Sequence, residues 1–164
     1  MRTTFHVGLL ALVLLCTITN PAVGQDDLGF RGWGPRLGLT IDPDQFHFGA
    51  HLDFAAATQV RFQPNIEIGL GDDLVLFCLN AEAAYRFRSD WDGWGPYLGG
   101  GIGVNIASDD EDGVTDESDT EFGVNALFGV ERGLSSGDRF FVESKFGLVD
   151  SPDVKFTAGW TFYH

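Results

Sequence analysis

The sequence predicts an all-β fold, an eight-stranded antiparallel up-and-down transmembrane β-barrel. Three observations predict it. Apolar and polar residues alternate with a period of two in eight successive segments after residue 32, the signature of strands whose side chains point to opposite faces. The apolar face of every segment is free of charge, while the other face carries glycine and charges of both signs. The connections between segments are mostly short and rich in Asp, Gly, Ser and Pro, as hairpin turns require.

The chain of 164 residues is long enough for one domain. Residues 1–24 read as a cleaved signal peptide. Arg2 supplies the positive start, Val7 to Cys16 the apolar run, and Ala22-Val23-Gly24 the small residues of a cleavage site. The apolar run is too short to span a bilayer. A lipidated Cys16 is the rival reading, and the bulky Leu15 before it argues against that signal. Removing the leader leaves Cys78 as the single cysteine, so no internal disulfide is expected. Residues 25–32 are expected as a short periplasmic segment and 33–164 as the barrel.

The first strand is expected over Trp33 to Asp42, with Trp33, Pro35, Leu37, Leu39 and Ile41 on one face and Gly34, Arg36, Gly38 and Thr40 on the other. Asp42-Pro43-Asp44 turns the chain. The second, Phe46 to Ala56, sets Phe46, Phe48, Ala50, Leu52 and Phe54 against His47, Gly49, His51 and Asp53. The third, Val60 to Leu70, alternates around Pro64, which removes a ladder donor. The fourth, Leu74 to Arg88, opposes Phe77, Leu79, Ala81 and Tyr85 to Cys78, Asn80, Glu82 and Arg86. The fifth, Trp94 to Ile106, is bulky on one face and nearly all glycine on the other, apart from Tyr97 and Asn105. After an acidic connection, the sixth runs from Glu121 to Glu131, the seventh from Arg139 to Leu148 and the eighth from Val154 to Tyr163. Besides Pro64, the period is interrupted by Leu127 and Phe141 on the polar faces of the sixth and seventh strands and by Ser144 on the apolar face of the seventh.

Alternation alone leaves open which face is inside. A soluble, lipocalin-like barrel would turn the apolar face inward around a ligand; a membrane barrel would turn it outward into lipid. The charges within the strands favour the second arrangement, because they must be paired in a polar interior. Glycine suits the narrow interior of a small barrel. Many outward aromatics fall near strand ends (Trp33, Phe46, Phe48, Tyr85, Phe87, Trp94, Phe122, Phe140 and Phe162), as two interfacial girdles would require.

With these residues in view, the chain resembles the small outer-membrane β-barrel proteins of the OmpX and OmpA-barrel type, a porin-like architecture. The resemblance is carried by the Pro-Tyr-Leu-Gly-Gly-Gly-Ile-Gly-Val-Asn run at 96–105 and the Phe-Val-Glu-Ser-Lys-Phe-Gly run at 141–147. It covers roughly residues 33–164. It implies location in the bacterial outer membrane, contact with outer-membrane lipid and lipopolysaccharide, and insertion by the outer-membrane assembly machinery. The family usually ends on Phe, and this chain departs with His164.

The lumen candidates are Arg61, Glu67, Glu82, Arg86, Glu131, Glu143 and Lys145, read as an ionic network that fills the barrel or, alternatively, gates a narrow pore. Asp110, Asp112 and Asp119 are the metal candidates, a loose divalent-cation site at most, since the spacing departs from a calcium loop. No other cofactor is expected. His47 and His51 stand four residues apart on a strand, about 13 Å, too far for one ion. Cys78 reads as a small buried residue.

The formal net charge of −14 argues against a nucleic-acid binder. Eight of the fourteen residues from Ser108 to Glu121 are Asp or Glu. A structural or surface-interaction role is therefore expected for a monomeric barrel that presents an acidic extracellular loop at 107–120. A narrow gated channel for ions or small solutes is the alternative. A lipid A-modifying enzyme is a lesser one, since no Ser lies two residues from His47, His51 or His164.

Overall fold

The computed structural model describes residues 29–42, 44–71, 74–109 and 118–163. The leader, Asp110, Asp112 and His164 lie outside the described residues. Every regular element among those described is a strand: β1 (Gly29–Ile41), β2 (Gln45–Ala57), β3 (Val60–Leu70), β4 (Leu74–Arg86), β5 (Gly95–Asp109), β6 (Ser118–Gly133), β7 (Arg139–Val149) and β8 (Val154–Tyr163). Each pairs antiparallel with its sequence neighbour, and β8 returns to β1 to close the barrel. Closure leaves no open edge along the sheet.

The strands face as the alternation predicts. Trp33, Leu37, Leu39, Phe46, Leu52, Leu79, Leu98, Ile102, Phe128, Phe146 and Phe156 are exposed on the outer wall. Arg36, His47, His51, Glu67, Glu82, Glu143 and Lys145 are buried inside. This inverts a soluble protein, so the outer wall is suited to hydrocarbon and the interior holds the polar groups.

Four boundaries differ from the sequence reading in ways that matter. β1 begins at Gly29, so residues 29–32 belong to the barrel wall instead of a periplasmic segment. β4 stops at Arg86, before the expected Arg88. β5 and β6 continue past the end of the alternation and pair Ile106 with Thr120, Ala107 with Asp119 and Ser108 with Ser118. The expected loop at 107–120 is thus shortened at both ends by backbone pairing, which does not need an apolar face.

Proline leaves the expected marks. The β2–β3 ladder pairs His51 with Asn65 and resumes only at Phe54 with Phe62, a gap that spans Pro64. The β1–β8 ladder similarly skips from Trp33 to Arg36, across Gly34 and Pro35. A missing N–H donor removes one rung in each case.

The ring contacts of the outer wall gather at one end. Phe30–Phe54, Phe54–Phe62, Tyr85–Phe87, Trp94–Phe140, Phe140–Trp160, Trp160–Phe162 and Trp33–Phe162 have centroids 5.3–6.4 Å apart, all toward the end that holds Gly29 and Tyr163. At the opposite end the ring contact among the described residues is Phe46–Phe48. Two girdles are expected; the ring contacts instead gather in three groups at one end, with the Phe46–Phe48 pair opposite them.

Candidate functional site

The lumen is built in layers. At its centre Arg36 from β1 reaches three strands across the interior. Its Nε lies 2.8 Å from Glu67 on β3 and its Nη1 3.6 Å from Glu82 on β4. Its Nη2 donates to Glu143 on β7. Lys145 Nζ stands 2.5 Å from Glu82 and 3.2 Å from Glu67, and Lys155 Nζ 3.1 Å from Glu67. Each of these charges is almost wholly buried, and each has an opposite charge beside it, the condition under which buried ions persist.

Toward the aromatic end a second cluster forms around Glu131. Arg61 Nη1 lies 2.7 Å away, Arg139 Nη1 3.1 Å and Arg86 Nη1 3.7 Å. Arg139 Nη2 also pairs with Asp53 at 2.6 Å, and Tyr163 Oη donates to Asp53 at 3.3 Å. Two aromatic side chains join the layers. Tyr97 donates to Glu143 at 2.9 Å, and the Arg61 guanidinium stacks 4.0 Å from the Tyr97 ring. Phe141 lies within 6 Å of the guanidiniums of Arg36, Arg61 and Arg139, at cation–π range.

These rings explain two of the inward glycines. A side chain at Gly129 would run into the Tyr97 ring and one at Gly159 into the Phe141 ring. Glycine opposite an inward aromatic is what lets so narrow a barrel enclose it.

The histidines are held by hydroxyls. His47 contacts Thr40 through Nδ1 and Thr157 through Nε2, both at 3.0 Å. His51 Nε2 lies 2.9 Å from Thr161, which also accepts from Arg139 Nη2 at 2.9 Å. Cys78 is buried beside Lys155, 3.4 Å from Nζ.

All seven lumen candidates face inward. Glu67, Glu82, Glu143 and Lys145 meet at the centre, and Arg61, Arg86 and Glu131 meet at the aromatic end. The seven do not include Arg36, which joins the central carboxylates, nor Asp53, Arg139 and Lys155. Their position on the polar face was legible; their depth and their cross-barrel partners were not. Of the metal candidates, Asp110 and Asp112 lie outside the described residues, and Asp119 is a backbone partner of Ala107 in the β5–β6 ladder. Among the described residues no group of three or more His, Cys, Asp or Glu is arranged to hold a metal ion.

No protein-family model and no curated protein sequence matches the chain. Solved structures do. Neisserial surface protein A superposes with a TM-score of 0.65 at 17% identity, covering 82% of this chain and 96% of its own. The N-terminal β-barrel domain of Pseudomonas aeruginosa OprF gives 0.59 at 12% identity, over 82% of this chain and 95% of its own. The outer membrane enzyme PagL gives 0.52 at 13% identity, over 80% and 98%. At such identities the likeness is one of fold, and it spans nearly the whole of each neighbour. The closed ring of eight antiparallel strands, apolar outside and ionic within, is the fold of the small eight-stranded outer-membrane β-barrels.

Proposed function

We propose that the protein resides in the bacterial outer membrane as a monomeric, closed barrel and works through surface interaction at its acidic end. The observation that carries this reading is the filled lumen. Arg36 is tied to three carboxylates on three other strands, and Tyr97 and Phe141 occupy the space beside it. Eight strands leave room only for side chains, and here the side chains are paired across that room. The acidic connection between β5 and β6 is then the part that meets lipopolysaccharide, a divalent cation bridging its phosphates, or another surface. Export by the signal peptide and insertion by the assembly machinery belong to the same reading.

The test has two arms. The refolded chain in a planar bilayer should give no unitary conductance. Deleting residues 110–117 should abolish adhesion of cells to lipopolysaccharide-coated surfaces while the heat-modifiable gel band of the folded barrel persists. Steady conductance in the intact chain would replace this reading with the narrow channel, which the end-to-end polarity of the lumen favours.

An enzymatic role finds less support. His47 and His51 are spent on threonine hydroxyls inside the barrel, away from the lipid that a lipid A-modifying enzyme must reach. An unchanged lipid A mass on expression is the expected result.

A further inference from the structure

The turn between β7 and β8 does not stand out from the barrel mouth. It folds inward across it. Gly147 N donates to Asp153 O at 3.0 Å, Asp153 N to Asp42 O at 3.4 Å, and the Asn105 side chain to Asp150 O at 2.9 Å. The turn is therefore tied to β7, to the β1–β2 connection and to β5. Two glycines make room for it. A Cβ on Gly123 would strike Ser151 and Asp150, and one on Gly147 would lie 2.6 Å from the carbonyls of Ser151 and Pro152. A register shift between Val124 and Asn125 in the β6–β7 ladder frees β7 to bend at this level.

Beneath the turn lies a cavity of about 10 Å3, lined by Asn80, Asn105, Asn125, Lys145, Lys155 and Ser151 among others. That is close to the space of one water molecule. Asn125 is 8% exposed, and its Oδ1 has no hydrogen-bond partner among the described residues. A buried acceptor left in this state is costly unless something donates to it. The charge around the cavity is already balanced, with Lys145 and Lys155 on Glu67 and Glu82. An added cation would meet two ammonium groups, and an added anion would meet the Asn125 oxygen. A neutral donor fits both conditions.

We propose that this cavity is a hydrated vestibule, with water donating to Asn125, and that the β7–β8 turn is its lid. Water then enters from the acidic end when the turn lifts, and stops at the Arg36 layer. The inference goes beyond a sealed lumen: it assigns the seal to the lower layers and leaves the acidic half accessible.

Cys78 reports on this directly. It pairs with Asn105 across β4–β5 and touches Lys155, both of which line the cavity. In a Cys16→Ser background it is the only thiol of the full chain. The folded barrel in lipid vesicles is treated with methyl methanethiosulfonate, and intact mass is followed in time. Cys78 should react about 100-fold more slowly than in the denatured chain, as access through rare local opening implies. Asn105→Ala cuts one tether of the lid, and Gly123→Ala wedges it outward. Each should speed labelling about tenfold with the folded gel band retained. Gly133→Ala, at the far end with nothing near its Cβ, should leave the rate unchanged. Asn125→Leu in the Asn105→Ala background should fill the cavity and restore the slow rate. Should Gly123→Ala fail to fold, Asn105→Ala decides alone. Equal rates in the parent and the lid variants, equal acceleration by Gly133→Ala, or a parent rate matching the denatured chain would each overturn the proposal. So would fast labelling that survives Asn125→Leu.

Discussion

At the end of the barrel where β1 starts and β8 stops, all four tryptophans stand on or beside the strands, Trp33, Trp91, Trp94 and Trp160, with Tyr85 among them. Arg31, Arg86, Arg88, Arg132 and Arg139 lie at the same end. At the opposite end the segments 41–45, 71–73, 107–120 and 149–153, strand ends and connections together, carry thirteen Asp and Glu and neither Lys nor Arg. Tryptophan and tyrosine settle at the membrane–water boundary, where a flat apolar ring with a polar edge is most at ease, and arginine favours anionic headgroups. One end is thus built to hold a fixed depth in a bilayer. The other has aliphatic residues such as Leu39, Ile41, Leu70 and Val75 beside phenylalanine on its wall, and puts negative charge into the water. If the acidic end acts at the surface as proposed, anchoring and display are divided between the two ends, with the paired ions of the lumen between them.

The largest effect is expected where the two ends are joined. Arg36→Met removes the cation shared by Glu67, Glu82 and Glu143 and leaves only Lys145, Lys155 and Arg61 to balance them. Loss of one partner in a buried ionic cluster costs about 3–5 kcal/mol. Urea unfolding in lipid vesicles, followed by tryptophan fluorescence, should show it. A loss below about 1 kcal/mol would mean that water reaches these groups from either end and that the lumen does not separate them.

A smaller effect separates the two walls. Trp160 touches both Phe140 and Phe162, whereas Phe48 touches only Phe46 among the aromatic contacts of the described residues. Each ring pair adds about 0.5–1.5 kcal/mol beyond area burial. Trp160→Ala should therefore destabilise the barrel by about 2 kcal/mol in the same assay, and Phe48→Ala by about half as much. Equal losses would erase the distinction between an anchoring end and a displaying one.

How far the sequence reaches is visible in particular residues. A period of two assigns a face, and it puts Arg36, Asp53, Arg139 and Lys155 on the polar face of their strands. It does not assign depth. Arg36 and Glu143 are separated by 107 residues, and their meeting depends on the stagger of strands around the ring. Tyr97 and Phe141 were legible as inward aromatics; that they fill the space left by Gly129 and Gly159 was not, since those pairs follow from register. The extension of β5 and β6 was missed because residues 107–109 and 118–120 carry no alternation, only backbone that can pair. The inward fold of the β7–β8 turn has its trace in Gly123 and Gly147, two glycines indistinguishable in sequence from those that face rings.

The smallest expected effect probes the acidic end alone. Asp42, Asp150 and Asp153 are exposed and lie on two connections joined by the Asp153 N to Asp42 O bond. Asp42 and Asp150 have positive φ, 53° and 39°, a conformation that Asn tolerates as well as Asp. Asp42→Asn, Asp150→Asn and Asp153→Asn together therefore remove charge and keep both the turn geometry and the backbone bond. If the end is held in water by mutual repulsion, the triple variant should shift the urea midpoint slightly upward at low ionic strength. The shift should vanish near about 0.5 M salt, where the screening length falls below the separation of exposed charges. A salt-independent shift would point to lost local hydrogen bonds instead. A downward shift would mean that these carboxylates hold a cation, and the acidic end would then be a binding surface in the folded barrel itself, without waiting for residues 110–117.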